Sequence, residues 1–195
     1  MLILASGSKA RLELLASVGI YPDKIIRTNT DETAHKNELP AEYVMRIAFK
    51  KNKNIGKLAD DLILSADTII AVGRRILNKP KDTTEASNFL DLLSGRRHKV
   101  MTGVCLFARG KYYMRLVKTT LRMKRLSDLE KKNYLISQEW RDSSGGYAIQ
   151  GKAAYFFPFI SGSYSNIVGL PLTETVGLLN GVGYVQSTLL PTERS

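Results

Sequence analysis

One carboxylate, Asp67, stands inside an otherwise apolar run, LILSADTIIAV at residues 62–72. An isolated ionised carboxyl in such a strand faces a desolvation penalty of several kcal/mol, so something must compensate it. A metal ion, a lysine or a catalytic water network would do so, and so would backbone amides at a frayed strand end. Perturbed carboxylates gather at active sites, which favours the functional reading. A second signal is LILASGSKAR at residues 2–11, a Gly/Ser turn between a strand and a helix, where free N–H groups and the helix dipole favour an anion. Lys9 and Arg11 in the first helical turn oppose that dipole at about 0.3–1 kcal/mol each, and a bound phosphate would reverse the sign. An ordinary Ser-capped helix with solvent-facing cations accounts for the same residues.

Other groups carry weaker chemistry. Pro80 in Asn78-Lys79-Pro80-Lys81-Asp82 would stiffen the turn that presents Lys79, although lysine in a turn is by default a surface residue. Asp31 and Glu32 are hard oxygen ligands suited to magnesium or manganese, but paired acids in a loop are more often simply solvated. Lys50, Lys51 and Lys53 read as the wet side of a helix. His35 and His98 have no partner pattern and Cys105 lies in an apolar strand, so histidine or thiol chemistry has poor support. Lys111, Tyr112, Tyr113, Arg115 and Lys118 resemble an aromatic and basic nucleic-acid platform, and alternation on a hairpin strand explains them equally well.

The elements that would position these residues follow from periodicity and punctuation. Residues 2–5 read as a short buried strand and residues 10–18 as a helix with Leu12, Leu15 and Ala16 on one face, closed by Gly19. Residues 41–58 carry Val44, Ile47, Ala48 and Ile55 at helical spacing behind Pro40, and residues 62–72 read as a central strand covered on both faces. Asp82 and Glu85 have capping-box spacing before a helix bearing Ala86, Phe89, Leu90 and Leu93, stopped by Gly95. Residues 99–108 and 111–123 form a hairpin turning at Arg109-Gly110, and Ser127 with Glu130 opens a helix to about Gln138. Residues 147–160 read as further strand, and Pro171 leads into a last helix ending near Gly181. Interleaved strands and helices with one hairpin indicate an α/β protein with a mixed sheet.

Composition bounds the partners. With 195 residues, 44% of them hydrophobic, the chain can bury a sizeable core as one globular unit. No run approaches the roughly 18–20 apolar residues of a membrane span, and the order of apolar and charged residues at the start is the reverse of a signal peptide. A soluble protein of the cytoplasm is expected, with no membrane partner. A lone cysteine excludes an internal disulfide and fits a reducing compartment. The net charge of +11 favours an anionic partner but is scattered along the chain, with no basic tail.

Five segments, ASGSKARLELL, SADTIIAV, LNKPKD, SGGYAIQG and SGSYSNIVGLPLTET, occur in that order over nearly the whole chain and resemble the Maf family of nucleotide pyrophosphatases. The resemblance implies an inosine-triphosphate-pyrophosphatase-like α/β fold, an elongated mixed sheet flanked by helices with two lobes around a cleft. It also implies a single domain over residues 1–195, commonly assembled as a homodimer. The implied reaction is hydrolysis of a free nucleoside triphosphate between its α and β phosphates, aided by a divalent cation, Mg2+ or Mn2+. By the same carry-over Asp67 is the proton acceptor and a metal ligand, and Glu32 is the acidic residue near the metal. Ser6 and Ser8 match the phosphate loop with Arg11, and Lys51 and Lys79 match the lysines facing the triphosphate. Arg11, Thr68 and Gln150 match positions associated with substrate choice. Gln150 looks like the branch acting on dTTP and UTP, and an amide can both donate to and accept from a pyrimidine edge.

Two departures remove positive charge. Relatives often read S-P-R-R where this chain has Ser8-Lys9-Ala10-Arg11, and many carry a lysine where it has Ser143. The implied roles are removal of aberrant nucleotides or arrest of cell division. Two other readings stay open: a non-catalytic nucleotide sensor regulating septum formation, and a basic RNA-binding protein. The expectation adopted is a free nucleotide substrate and no nucleic-acid partner.

Overall fold

The computed structural model describes residues 1–56 and 61–184. Its spine is a mixed sheet in the order β2-β1-β3-β5-β6-β7. β1 (Leu2–Leu4) leads through α1 (Lys9–Ser17) to β2 (Lys24–Ile25), and α2 (Pro40–Lys53) precedes the long β3 (Leu62–Val72). β4 (Arg75–Leu77) folds back on β3, α3 (Thr83–Leu93) follows, and β5 (Arg97–Ala108) with β6 (Lys111–Arg122) makes the hairpin. α4 (Asp128–Ser137), β7 (Phe159–Ser161), α5 (Tyr164–Val168) and α6 (Leu172–Gly181) follow. Arg109 and Gly110 both take positive φ, 50° and 75°, the backbone a tight two-residue hairpin turn requires.

One feature of the register shapes everything near Asp67. β5 runs along one edge of β3 from Ile63 to Ala71. On the opposite edge β1 pairs only with Leu62 to Leu64, and β4 only with Ile70 to Val72. Between them the edge has no strand beside it, and that gap holds Asp67 and Thr68. The side chains of β3 alternate across the sheet, so the two residues serve opposite faces. On the face of Asp67, α2 lies flat across β3 and β5. Ser65 Oγ donates to Ala48 O at 2.7 Å and Asn52 Nδ2 to Ile63 O at 2.6 Å. Gly103, opposite Asp67, permits this approach: a Cβ there would stand 2.6 Å from Val44 O.

The other face carries two separate cores. Leu2, Leu4, Leu15, Leu64, Val104 and Leu179 close one, and Ile70, Phe89, Leu90, Val100, Trp140 and Phe156 close the other. Each buried Leu or Phe contributes about 1.5–3 kcal/mol. Thr68 and Thr102 form a polar seam between these two lobes, their hydroxyls 3.0 Å apart.

Most expected elements appear within a residue or two, including both well-marked caps. Asp82 Oδ1 accepts from Glu85 N at 2.8 Å, and Ser127 and Glu130 bond reciprocally. Two expectations are corrected. The helix expected over residues 41–58 ends at Lys53, and its last two expected residues, Lys57 and Leu58, lie outside the described residues. The strand expected over residues 147–160 is confined to Phe159–Ser161; the preceding stretch forms 3-10 turns at Ser144–Gly146 and Lys152–Phe156. Tyr147, Ile149, Ala153, Phe156 and Phe157 all pack into the second core, which a compact turn allows and an extended strand with alternating faces does not. The strands β2 and β4 and the helix α5 were not marked by any periodicity long enough to read.

Candidate active site

Lys51 is the centre of the site on the α2 face. Its Nζ donates to Asp67 Oδ1 at 2.6 Å and stands 2.7 Å from Glu32 Oε1. The Asp67 side chain is 8% exposed and that of Glu32 50%, so one carboxylate is sunk in the protein and the other reaches toward solvent. Burial pushes the Asp67 carboxyl above its ordinary value, outweighing the attraction of Lys51 and then Arg11, which pull it down. Lys51 was read as part of a wet helix face, and it is buried. The helical stripe of Val44, Ile47, Ala48 and Ile55 passes through position 51, four residues after Ile47 and four before Ile55, so periodicity itself placed this lysine inward.

Glu32 is held in place by α2. Tyr43 Oη donates to Glu32 O at 2.8 Å, Arg46 Nη2 to Thr33 O at 3.0 Å, and Lys50 Nζ to Asp31 O at 3.3 Å. Tyr43, Arg46 and Lys50 recur at helical spacing, one stripe of donors that pins the acidic loop; sequence reasoning missed Tyr43 and Arg46. Burial and the charges of Asp67 and Glu32 raise the Tyr43 hydroxyl well above its usual value, so it remains a donor.

Arg11 is the centre on the other face. It sits at the third position of α1, where Ser8 caps the helix by accepting from its own N–H at 3.4 Å. Its Nε donates to Gly169 O at 2.8 Å, one Nη to Ser6 Oγ at 3.0 Å, and the other to Thr68 Oγ1 at 3.1 Å. Burial presses the guanidinium below its usual value while Asp67 and Glu32 oppose this, and a guanidinium stays charged. Arg11 thus ties the turn at residues 6–8, the seam residue Thr68 and the loop before α6 into one unit. Thr68 Oγ1 also lies 3.1 Å from Gly169 O, and Ser144 Oγ donates to Thr68 O at 3.1 Å, where the gap leaves that carbonyl without a strand partner. Gly169, Thr102 and Ser144 were not singled out in the sequence, and nothing local marks them.

The gap therefore gathers Ser6, Arg11, Glu32, Lys51, Asp67 and Thr68. Ser8 adjoins them through its N–H, which donates to Ser6 Oγ at 3.2 Å. Two expected residues stand apart. Lys79 is exposed and lies 3.8 Å from Asp142, and Gln150 is exposed with no contact joining it to Arg11 or Thr68 among the described residues. The turn before Lys79 is nevertheless tied to the loop of Ser144, because Gly145 N donates to Asn78 O at 3.0 Å.

Comparison with known proteins adds independent findings. The family model described as Maf-like protein matches residues 1–182. A dTTP/UTP pyrophosphatase of Roseobacter denitrificans is 50% identical over 184 residues, spanning 94% of this chain and 98% of its own. Proteins of the same name from Caulobacter vibrioides and Rhodopseudomonas palustris are 47% and 50% identical, each over 94% of this chain and over 96% and 92% of their own lengths.

Proposed function

The chain belongs to the Maf family, and we propose that it hydrolyses dTTP and UTP to the monophosphate and pyrophosphate, with Asp67 as the general base. The observation that carries this reading is the buried carboxylate of Asp67, raised in pKa and clasped by Lys51 at a break in the sheet edge beside the cationic turn. The relatives named above carry the activity in their names and support the choice of substrate.

A base works best when its pKa approaches the working pH, and burial moves Asp67 in that direction. Asp67 takes the proton of the attacking water, while Lys51 keeps the carboxylate ionised in a site that would otherwise neutralise it. Ser6, Ser8 and the fixed guanidinium of Arg11 line the turn that binds phosphate oxygens, and Lys51 and Lys79 offset the charge that builds on the leaving pyrophosphate. Arg11 and Thr68, locked together through Gly169, set the wall against which the base is read, and the exposed Gln150 amide both donates and accepts.

Glu32 and Asp67 converge on one cation, the Lys51 ammonium. Two hard carboxylates suit magnesium or manganese arriving with the triphosphate, since such ions are usually held by one or two carboxylates plus substrate phosphates. When bound there, the ion supplies charge neutralisation on the phosphoanhydride. The protein acts as a homodimer in the cytoplasm, residues 1–195 forming one domain, and free nucleotide rather than nucleic acid is its partner. Pyrophosphate release with magnesium across the nucleoside triphosphates tests the reading. Release from dTTP and UTP is expected, and a protein that releases none from any triphosphate refutes it.

A further inference from the structure

Of the two cations on α1, neither extends freely from the turn at residues 6–8. Lys9 points into solvent, 90% exposed, with its Nζ 3.7 Å from Glu13. Arg11 is buried, and each of its three guanidinium nitrogens already donates, to Gly169, Ser6 and Thr68. A different residue brings charge to this place. β2 runs parallel to β1, with Leu4 opposite Ile25, and Ile26 N donates to Leu4 O at 2.9 Å. That pairing carries the chain out past the end of β1 on the side where the turn begins, so Arg27 arrives beside Gly7. Its stem lies on the glycine: a Cβ at position 7 would stand 2.9 Å from Arg27 Cγ and 3.1 Å from both Cδ and Nε. Gly7 thus gives Arg27 a groove that any larger residue would fill. Arg27 is exposed, and the described residues give it no hydrogen bond, ion pair or ring contact.

The surroundings give this cation a direction. β1 lies between β2 and β3, so the chain leaves β1 on one side and returns on the other, and ligands of open α/β sheets bind outside the carboxyl ends of such strands. A guanidinium can take two phosphate oxygens at once through paired N–H groups. We propose that Arg27 is a phosphate-binding residue of the Ser6–Gly7–Ser8 turn, taking phosphate oxygens of the polyphosphate and adding its charge to that of the buried Arg11. This rests on the reading of that turn as a polyphosphate site. The contact exists equally in the ground and transition states, so it acts on binding more than on turnover.

The test measures affinity for inorganic tripolyphosphate by calorimetry, and KM and kcat for dTTP, in the wild type, Arg27→Gln and Arg27→Lys. Lys132→Gln, an exposed change of equal charge on α4, serves as control. Arg27→Gln should weaken tripolyphosphate binding and raise KM about tenfold with kcat nearly unchanged, as losing one charge-assisted pair does. Arg27→Lys should recover part of the loss, and Lys132→Gln should change neither quantity. Unaltered affinity and KM in Arg27→Gln overturn the proposal, as do an equal loss in Lys132→Gln or a wild type that binds no tripolyphosphate. If the wild type turns over no nucleotide, an Arg27-dependent tripolyphosphate affinity still upholds this inference while the hydrolytic reading falls.

Discussion

The floor and the rim of the gap in β3 differ in how far their charges are committed before any ligand arrives. On the floor, Arg11 and Lys51 are buried, and each is bonded to residues the site needs: Ser6, Thr68 and Gly169 for one, Glu32 and Asp67 for the other. The rim stands apart from those contacts: Lys79 and Gln150 are exposed, and among the described residues Lys79 meets only the solvated Asp142. A buried ion pair is costly to assemble and costly to break, so floor residues serve shape and reactivity together. Exposed charges cost little to hold and contribute little to the fold, so rim residues have little part in shape.

Substitutions should divide along this line. Arg11→Met removes the charged bonds to Gly169 O, Ser6 and Thr68, and should cost about 3 kcal/mol of unfolding free energy, read by urea denaturation, together with most activity. Lys51→Met should lower kcat/KM about a hundredfold through loss of the charge that keeps the base ionised. It should also move the acid limb of the pH profile upward, because burial already raises the Asp67 carboxyl and its main opposing charge would be gone. Stability carries the same signature. A folded carboxyl above its unfolded value means that the native state binds more proton, so the contribution of Asp67 to stability is full below about pH 4 and declines as pH rises through its folded titration. Asp67→Asn should remove that decline, seen as a flatter difference in unfolding free energy between acidic and neutral pH. The smallest effect belongs to the rim: Lys79→Gln should raise KM only about threefold and leave the melting temperature unchanged. A rim substitution that destabilises, or a floor substitution that does not, would erase the distinction.

The sequence revealed the two most consequential facts of the floor, for physical reasons. Asp67 is visible because a carboxylate in an apolar strand has no cheap explanation, and the turn at residues 6–8 because its Ser and Gly spacing belongs to a strand-to-helix junction. Lys51 was equally legible by helical period; residue type alone suggests a wet face, and only the family resemblance points it toward the site. The two-lobe arrangement was expected only from the family resemblance; its cause, a strand edge that β1 leaves at Leu64 and β4 joins at Ile70, depends on pairings far apart in sequence. Gly169, Thr102 and Ser144 escaped notice because their contribution is a carbonyl or a hydroxyl supplied from a distant loop, and no local pattern encodes that. Composition suggests strand from Tyr147 onward, whereas packing of Tyr147, Ile149, Ala153 and Phe156 into one core decides its course.

The most direct test is single-turnover release of pyrophosphate from dTTP and magnesium by Asp67→Asn, with nucleotide affinity measured on the same protein. If Asp67 takes the proton of the attacking water, affinity stays near the wild-type value and release slows roughly 100- to 10,000-fold. Release at the wild-type rate would contradict the account.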